Sequence, residues 1–276
     1  MGGPTTLQGA VNVLGPLEVW CAGNAVVLPP RRRGLLALLA LRAGGMVTVE
    51  QLVDGLWGED APSKAVRTLH AHIAKLRAAL GGTRMIERRD PGYVLAPDLV
   101  RVDRDWFEEL AKSGLRESAA GRHAEAARSF GRGLALWRGE ALAGCPVHGW
   151  AAAESVYLQG LRLEAYEGLF AAKLASRAPG ASAGEIERLV AQHPLRERLW
   201  ELLIVALQLS GRSGDAHSAY RRARRTFIDE LGVEPGERLR HVEAGVLRGV
   251  TDPRALLRLE PTAIRTSVVS APGSSR

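Results

Sequence analysis

Between Pro62 and Gly81 the apolar side chains Val66, Leu69, Ile73, Leu76 and Leu80 follow one another at steps of 3, 4, 3 and 4. That spacing predicts a helix over Ser63–Leu80 with one buried stripe. A denser run, Leu35, Leu36, Leu38, Leu39 and Leu41, crowds the buried face of a helix predicted over Arg31–Arg42, with Gly44-Gly45 as its stop. Between the two, Thr48 stands three residues before Gln51, the pattern of a capping box. The helix it starts reaches about Trp57 and buries Leu52, Leu56 and Trp57. Upstream, Val11–Leu14, Leu17–Cys21 and Ala25–Leu28 are short β-rich runs separated by Gly15-Pro16 and Gly23-Asn24, which predicts an antiparallel meander. Downstream, Met85–Arg88 and Tyr93–Ala96 flank Asp90-Pro91-Gly92 and predict a hairpin. Meander, three helices and hairpin make a winged helix-turn-helix with an added N-terminal sheet, over residues 1–100.

From Asp103 to about Arg248 the pattern is helical almost throughout. Gly121-Arg122-x-x-Glu125-Ala126-x-x-x-Phe130-x-x-Gly133 recurs as Gly211-Arg212-x-x-Asp215-Ala216-x-x-x-Tyr220-x-x-Ala223. Small residues four before and three after an aromatic let two helices close around one ring, as in the second helix of a tetratricopeptide hairpin. The copies start at Gly121 and Gly211, a separation that is no multiple of the ~34-residue tetratricopeptide period. The array is therefore irregular, with helices at about 151–174 and 184–192 between the copies. Residues 101–250 are expected to form an all-α, tetratricopeptide-like domain. From Thr251 the periodicity fades, and 251–276 is expected to be a disordered tail rich in Ser. The fold class is mostly α with a small β content.

Length and composition agree with this. A chain of 276 residues holds about two domains. Aromatics are only 5%, which disfavours an all-β protein. The net charge of +7 suggests an anionic partner such as nucleic acid, although the excess of Arg over Lys also fits a GC-rich genome. Cys21 and Cys145 form no CxxC pair, so thiolates build no zinc knuckle, and both are expected reduced in the cytosol. Met1–Gly9 has no signal-peptide pattern, and the longest apolar run, Leu35–Leu41, is far short of the ~20 residues of a membrane span. A cytoplasmic, nucleoid-associated protein without membrane contact is expected.

The face of the third helix opposite its apolar stripe carries Lys64, Arg67, Thr68, His70, Ala71, His72 and Lys75, with Arg77 near the edge. Lys64 to Arg77 includes four Lys or Arg and no acid. Cations suit phosphate contacts. The small Ala71 and Ala74 admit close approach to base edges, Lys75 can reach guanine N7 or O6, and His70 can donate or accept. For this helix alone a solvated amphipathic surface explains the same residues. The capped helix before it and the Arg-lined hairpin after it (Arg84, Arg88, Arg89) favour DNA. A further cluster, Arg31-Arg32-Arg33, marks a helix N-terminus able to attract phosphate, Arg33 among its candidates, or else a solvated turn. His70 and His72 face nearly opposite sides of their helix and cannot share a metal. No nucleotide-binding loop, dinucleotide fingerprint, nucleophile elbow or zincin motif is present, so no catalytic residue or cofactor is expected.

The residues from Arg67 to Arg77, with Gly92-Tyr93, resemble the recognition helix and wing of OmpR-type winged helices. Val13-Leu14-Gly15-Pro16, Leu56-Trp57-Gly58, Pro91-Gly92-Tyr93, Leu136-Trp137-x-Gly139-x-Ala141-Leu142, His193-Pro194-Leu195-Arg196-Glu197 and Glu230-Leu231-Gly232-Val233-x-Pro235 resemble the Streptomyces antibiotic regulatory protein family, the short relatives of AfsR. The resemblance implies a tetratricopeptide-like bacterial transcriptional activation domain after the winged helix. It implies phosphate contacts from Arg67, Thr68, His72, Arg77 and Tyr93. It also implies base readout by His70, Ala71 and Lys75 and a minor-groove or backbone contact from Arg88 or Arg89. The OmpR type often carries an acid where His70 stands, and a Gly or Ser before the wing's Gly-Tyr where Pro91 stands. Large members add an ATPase domain, and no such motif lies in this chain. The implied function is sequence-specific activation of a secondary-metabolite (antibiotic) gene cluster. The implied partners are duplex promoter DNA with direct repeats, a second copy side by side on it, and RNA polymerase holoenzyme through its sigma factor, alpha and beta subunits. Two rivals are a peptide-gripping scaffold with an incidental basic helix, and a repressor or small-molecule sensor.

Overall fold

The structure, a computed structural model, describes residues 7–82, 84–176 and 183–258. The chain forms two compact units: residues 1–111 with 130–166, and residues 112–129 with 167–276.

In the first unit, strands β1 (Gly9–Asn12), β2 (Glu18–Cys21) and β3 (Asn24–Ala25) form the expected antiparallel meander. A strand that the sequence pattern did not suggest, β7 (Val100–Val102), joins β1 in parallel, so the sheet order is β3-β2-β1-β7. The third strand is two residues long, and Leu28 instead turns into the core. Helix α1 (Pro30–Ala40) starts on proline, whose missing N–H costs nothing at a helix start. It ends before Gly44, whose left-handed backbone lets its N–H donate to Leu95 O across 3.0 Å. Every residue from Gly34 to Ala40 is buried, so α1 is a central helix rather than one with a solvent face.

Strand β4 (Met46–Thr48) leads into α2 (Val49–Trp57). The capping box is present: Gln51 N donates to Thr48 Oγ1 and Thr48 N donates to Gln51 Oε1, both at 3.1 Å. A 3-10 turn, Gly58–Asp60, leads on to α3 (Ala65–Ala79). The buried stripe of α3 is Ala65, Leu69, Ile73, Leu76 and Leu80. Val66, expected in the stripe, is 49% exposed, and Ala65 occupies the inward position of the first turn. Strands β5 (Ile86–Arg89) and β6 (Gly92–Leu95) form the hairpin, and β4 pairs with β6 to give the order β4-β6-β5.

Beyond β7 the first unit takes in the start of α4 (Asp103–Ala119), the end of α5 (His123–Leu134), the loop after it and much of α6 (Trp150–Ala175). Gly133 of α5 lies against Phe107 of α4: a Cβ there would stand 3.3 Å from the ring. The loop after α5 lies on the winged helix. His148 N donates to Gly55 O at 2.8 Å and Trp150 Nε1 to Gln51 O at 3.1 Å.

The second unit contains α7 (Ala183–Gln192), α8 (Glu197–Leu209), α9 (Ser213–Leu231), α10 (Glu237–Leu247) and α11 (Pro253–Leu257). Helix α8 is its centre, buried from Leu199 to Gln208 and packed by α7, α9, α10 and α11. The second copy of the repeat motif lies on α9, with Ala216, Tyr220 and Ala223 all buried. Gly211 and Gly232 both take left-handed backbone at the ends of α8 and α9. Residues 251–258, expected to belong to a disordered tail, carry α11. Asp252 caps α11, whose Pro253, Leu256 and Leu257 are buried. Its pattern is too short to show as a period. Residues 259–276 lie outside the described residues.

Candidate nucleic-acid interface

The solvent side of α3 is a ridge of Lys64, Arg67, Ala71 and Lys75, all exposed, with Ala74 and Ala78 beside them. These positions recur at three or four residues and stack along one line of the helix. Thr68 and His72, both half-buried, flank the ridge on one side. His70 and Arg77, also half-buried, flank it on the other. The buried stripe and the capped α2 fix the roll of α3, so the ridge points outward by default.

On the His70 side, α3 meets the wing through Tyr93. That ring is 3% exposed. The guanidinium carbons of Arg77 and Arg88 each lie 5.6 Å from its centroid, and His70 meets it edge-on at 6.2 Å. Arg88 donates to the Tyr93 hydroxyl at 3.2 Å, and Arg77 Nε donates to Ile86 O at 2.9 Å. Tyr93 is therefore the pin between helix and wing. At the wing tip Arg88 lies 3.7 Å from Asp90, and Arg89 pairs with Glu87 at 2.9 Å. Both wing arginines already face an acid of their own hairpin.

Gly92 allows the pairing of β4 with β6. A Cβ there would overlap the Val47 carbonyl oxygen and stand 2.7 Å from Thr48 Cα. Gly92→Ala is expected to cost about 1–3 kcal/mol by overpacking. Urea unfolding measures this, and an unchanged midpoint would show that the strands separate without cost.

On the other side, His72 meets Trp57 of α2, ring centroids 6.4 Å apart. Burial lowers the His72 pKa, and the charges of Arg32, Lys75 and Arg31 lower it further. Arg31 Nη1 donates to Leu56 O at 2.8 Å. The arginine triplet thus divides. The charges of Arg31 and Arg32 act on His72 of α3. Arg33, the member singled out from the sequence, lies with Leu17, Val19 and Leu28 near β2, and its charge acts on Cys145. Successive residues of a helix point about 100° apart, and a run of identical residues gives no sign of which ones share a face.

Among the described residues no group of three or more His, Cys, Asp or Glu is placed to hold a metal ion. Also among them, no helix is long and apolar enough to cross a membrane.

A capped support helix, an outward basic ridge and a pinned wing define a DNA-binding transcriptional regulator of winged-helix type. Residues 23–95 match the family model "Transcriptional regulatory protein, C terminal", and residues 102–247 match "Bacterial transcriptional activator domain". The chain is 35% identical to regulatory protein DnrI of Streptomyces peucetius, over 86% of this chain and 92% of that one. It is also 35% identical to regulatory protein AfsR of Streptomyces griseus, over 86% of this chain but only 24% of AfsR, so it spans about a quarter of that relative. A solved structure of Mycobacterium tuberculosis EmbR, in complex with a low affinity phosphopeptide, superposes with a TM-score of 0.84 at 30% identity, over 92% of this chain and 69% of that one. The chain belongs to the Streptomyces antibiotic regulatory protein family, with an OmpR-type winged helix and a bacterial transcriptional activator domain.

Proposed function

We propose that this regulator is an activator of a secondary-metabolite (antibiotic) gene cluster, binding direct repeats in its promoters and recruiting RNA polymerase. Residues 1–100 serve as the DNA-binding domain and 101–250 as the activation domain. The observation that carries the DNA side is the exposed Lys64–Arg67–Ala71–Lys75 ridge on a helix whose roll is fixed by its buried stripe. In this reading Ala71 and Lys75 meet base edges with His70 beside them, while Arg67, Thr68, His72 and Arg77 meet phosphates. Two copies lie side by side, one per repeat and about one helical turn apart. The polymerase contacts involve the sigma factor and the alpha and beta subunits. The protein acts in the cytoplasm, on the nucleoid, without catalysis of its own.

Lys75→Ala is expected to lower affinity for the footprinted operator by the ~1–3 kcal/mol of one base contact and to relax specificity at one position. An operator affinity equal to wild type would sink the readout model. Transcription in vitro with purified holoenzyme tests the activator role. A rise in transcript that depends on the intact repeats is expected, and no rise would refute it.

A further inference from the structure

The side of α3 that bears His72 holds positive charge without local compensation. Arg31 and Arg32 come from the start of α1, Lys75 from α3 itself, and α2 contributes the Trp57 ring. Among the described residues none of these three cations forms an ion pair, whereas Arg88 and Arg89 of the wing both face acids. Arg31 is held in place by the Leu56 carbonyl, one residue before Trp57. Three helices therefore converge on one imidazole, and the charged groups that act most strongly on it are all cations. Such an arrangement is unfavourable until an anion arrives. The ridge that meets DNA runs alongside, so the nearest anion in a complex is a backbone phosphate.

We propose that Arg31, Arg32 and His72 together hold one backbone phosphate of the bound duplex, and that His72 takes up a proton as that phosphate arrives. The proposal rests on the reading of α3 as the DNA-facing helix. Its physical content is a linkage. In the free protein, burial and the neighbouring cations keep the ring neutral near pH 7. A phosphate beside it offsets those cations and pairs with the imidazolium, so the bound state favours the protonated ring. Proton uptake on binding means that affinity rises as the pH falls, across the range where histidine titrates. The contact carries no base information, because it is made to the backbone.

The experiment is fluorescence anisotropy of the full chain on two labelled duplexes, the footprinted operator and a scrambled sequence of equal length. Salt is varied at fixed pH, and pH is varied between 6 and 8 at fixed salt. For wild type, affinity is expected to rise about three- to tenfold from pH 8 to pH 6, within the roughly hundredfold that uptake of one full proton over two pH units would give. His72→Gln is expected to lose that slope, while His70→Gln keeps it whatever it does to affinity. Arg32→Ala is expected to weaken binding to both duplexes by the same factor and to lower the salt slope by about 0.9. Circular dichroism and thermal unfolding establish that each variant is folded. A pH slope kept in His72→Gln, or a salt slope unchanged in Arg32→Ala, overturns the proposal. Arg67→Ala separates the two levels. If it loses affinity while Arg32→Ala does not, only the phosphate clamp fails. If neither loses affinity, the reading of α3 itself fails.

Discussion

A fragment ending at residue 100 is expected to lose the cooperative fold of the winged helix and, with it, measurable operator binding. The reason is the coverage of α1 and α2. Gly34 of α1 lies so close to the loop after α5 that a Cβ would stand 2.7 Å from Pro146 O. Gly55 of α2 packs against Trp150, whose Nε1 would be 3.1 Å from a Cβ there, and Arg42 lies 5.1 Å over the Trp150 ring. Cutting at 100 exposes these faces and removes the donors to Gln51 O and Gly55 O. It also removes Arg138, Leu142 and Ala143, whose N–H groups donate to Leu14, Val13 and Gly15 O at 2.8, 2.9 and 3.2 Å. Each such bond is worth about 1 kcal/mol net, and each fully buried Leu or Val about 1.5–3 kcal/mol. Against a whole-domain stability of about 5–15 kcal/mol, that loss removes most of the margin. A fragment of residues 1–166, which contains the whole first unit, is expected to keep dispersed amide resonances where 1–100 does not. Sharp, dispersed spectra and full operator affinity from 1–100 would show that the covering loop is dispensable.

The parts of this fold legible in the sequence are those set by neighbours along the chain. The capping box of α2 joins residues three apart, the α3 stripe repeats every three or four, and the Ala216–Tyr220–Ala223 spacing lies within one helix. What was not legible depends on remote partners. Strands β4 and β7 are three residues each, and only their pairing with β6 and β1 makes them strands. In the first turn of α3 hydrophobicity favours Val66 as the inward residue, whereas the fold turns Ala65 inward. In the candidate site the ridge was legible as a basic face, but the role of Tyr93 was not. A Gly-Tyr step gives no sign of what surrounds the ring, and only the packed structure shows it pinned under Arg77 and Arg88. Arg31 and Arg32 were visible as charge, yet their position beside His72 depends on where α1 crosses α3.

Asp103→Ala is expected to destabilise the first unit by about 2–6 kcal/mol, the cost of leaving two buried backbone donors unpaired. Asp103 opens α4 and is 6% exposed. Its Oδ1 accepts from Val13 N at 2.7 Å, its Oδ2 accepts from Leu14 N at 3.1 Å, and Arg138 Nη2 approaches Oδ2 at 3.3 Å. One carboxylate therefore joins two motifs that lie far apart in the sequence, Val13-Leu14-Gly15-Pro16 and Leu136-Trp137-x-Gly139. Gly15 completes the joint: its backbone stands at φ +148°, and a Cβ there would meet Arg138 Cβ at 3.0 Å. Arg138 also donates to Pro16 O at 2.9 Å and pairs with Glu18 at 2.9 Å, so it stays partly satisfied when Asp103 is lost. The two backbone N–H groups do not, because both belong to buried residues, and an unpaired buried donor costs about 1–3 kcal/mol. Asp103→Asn keeps an acceptor oxygen for one of them and is expected to cost roughly half as much as the alanine variant. Urea unfolding, followed by the fluorescence of Trp137 and its neighbours, gives both values. Equal stabilities of wild type and Asp103→Ala would show that solvent reaches the Val13 and Leu14 amides and that the two motifs are joined by apolar contact alone.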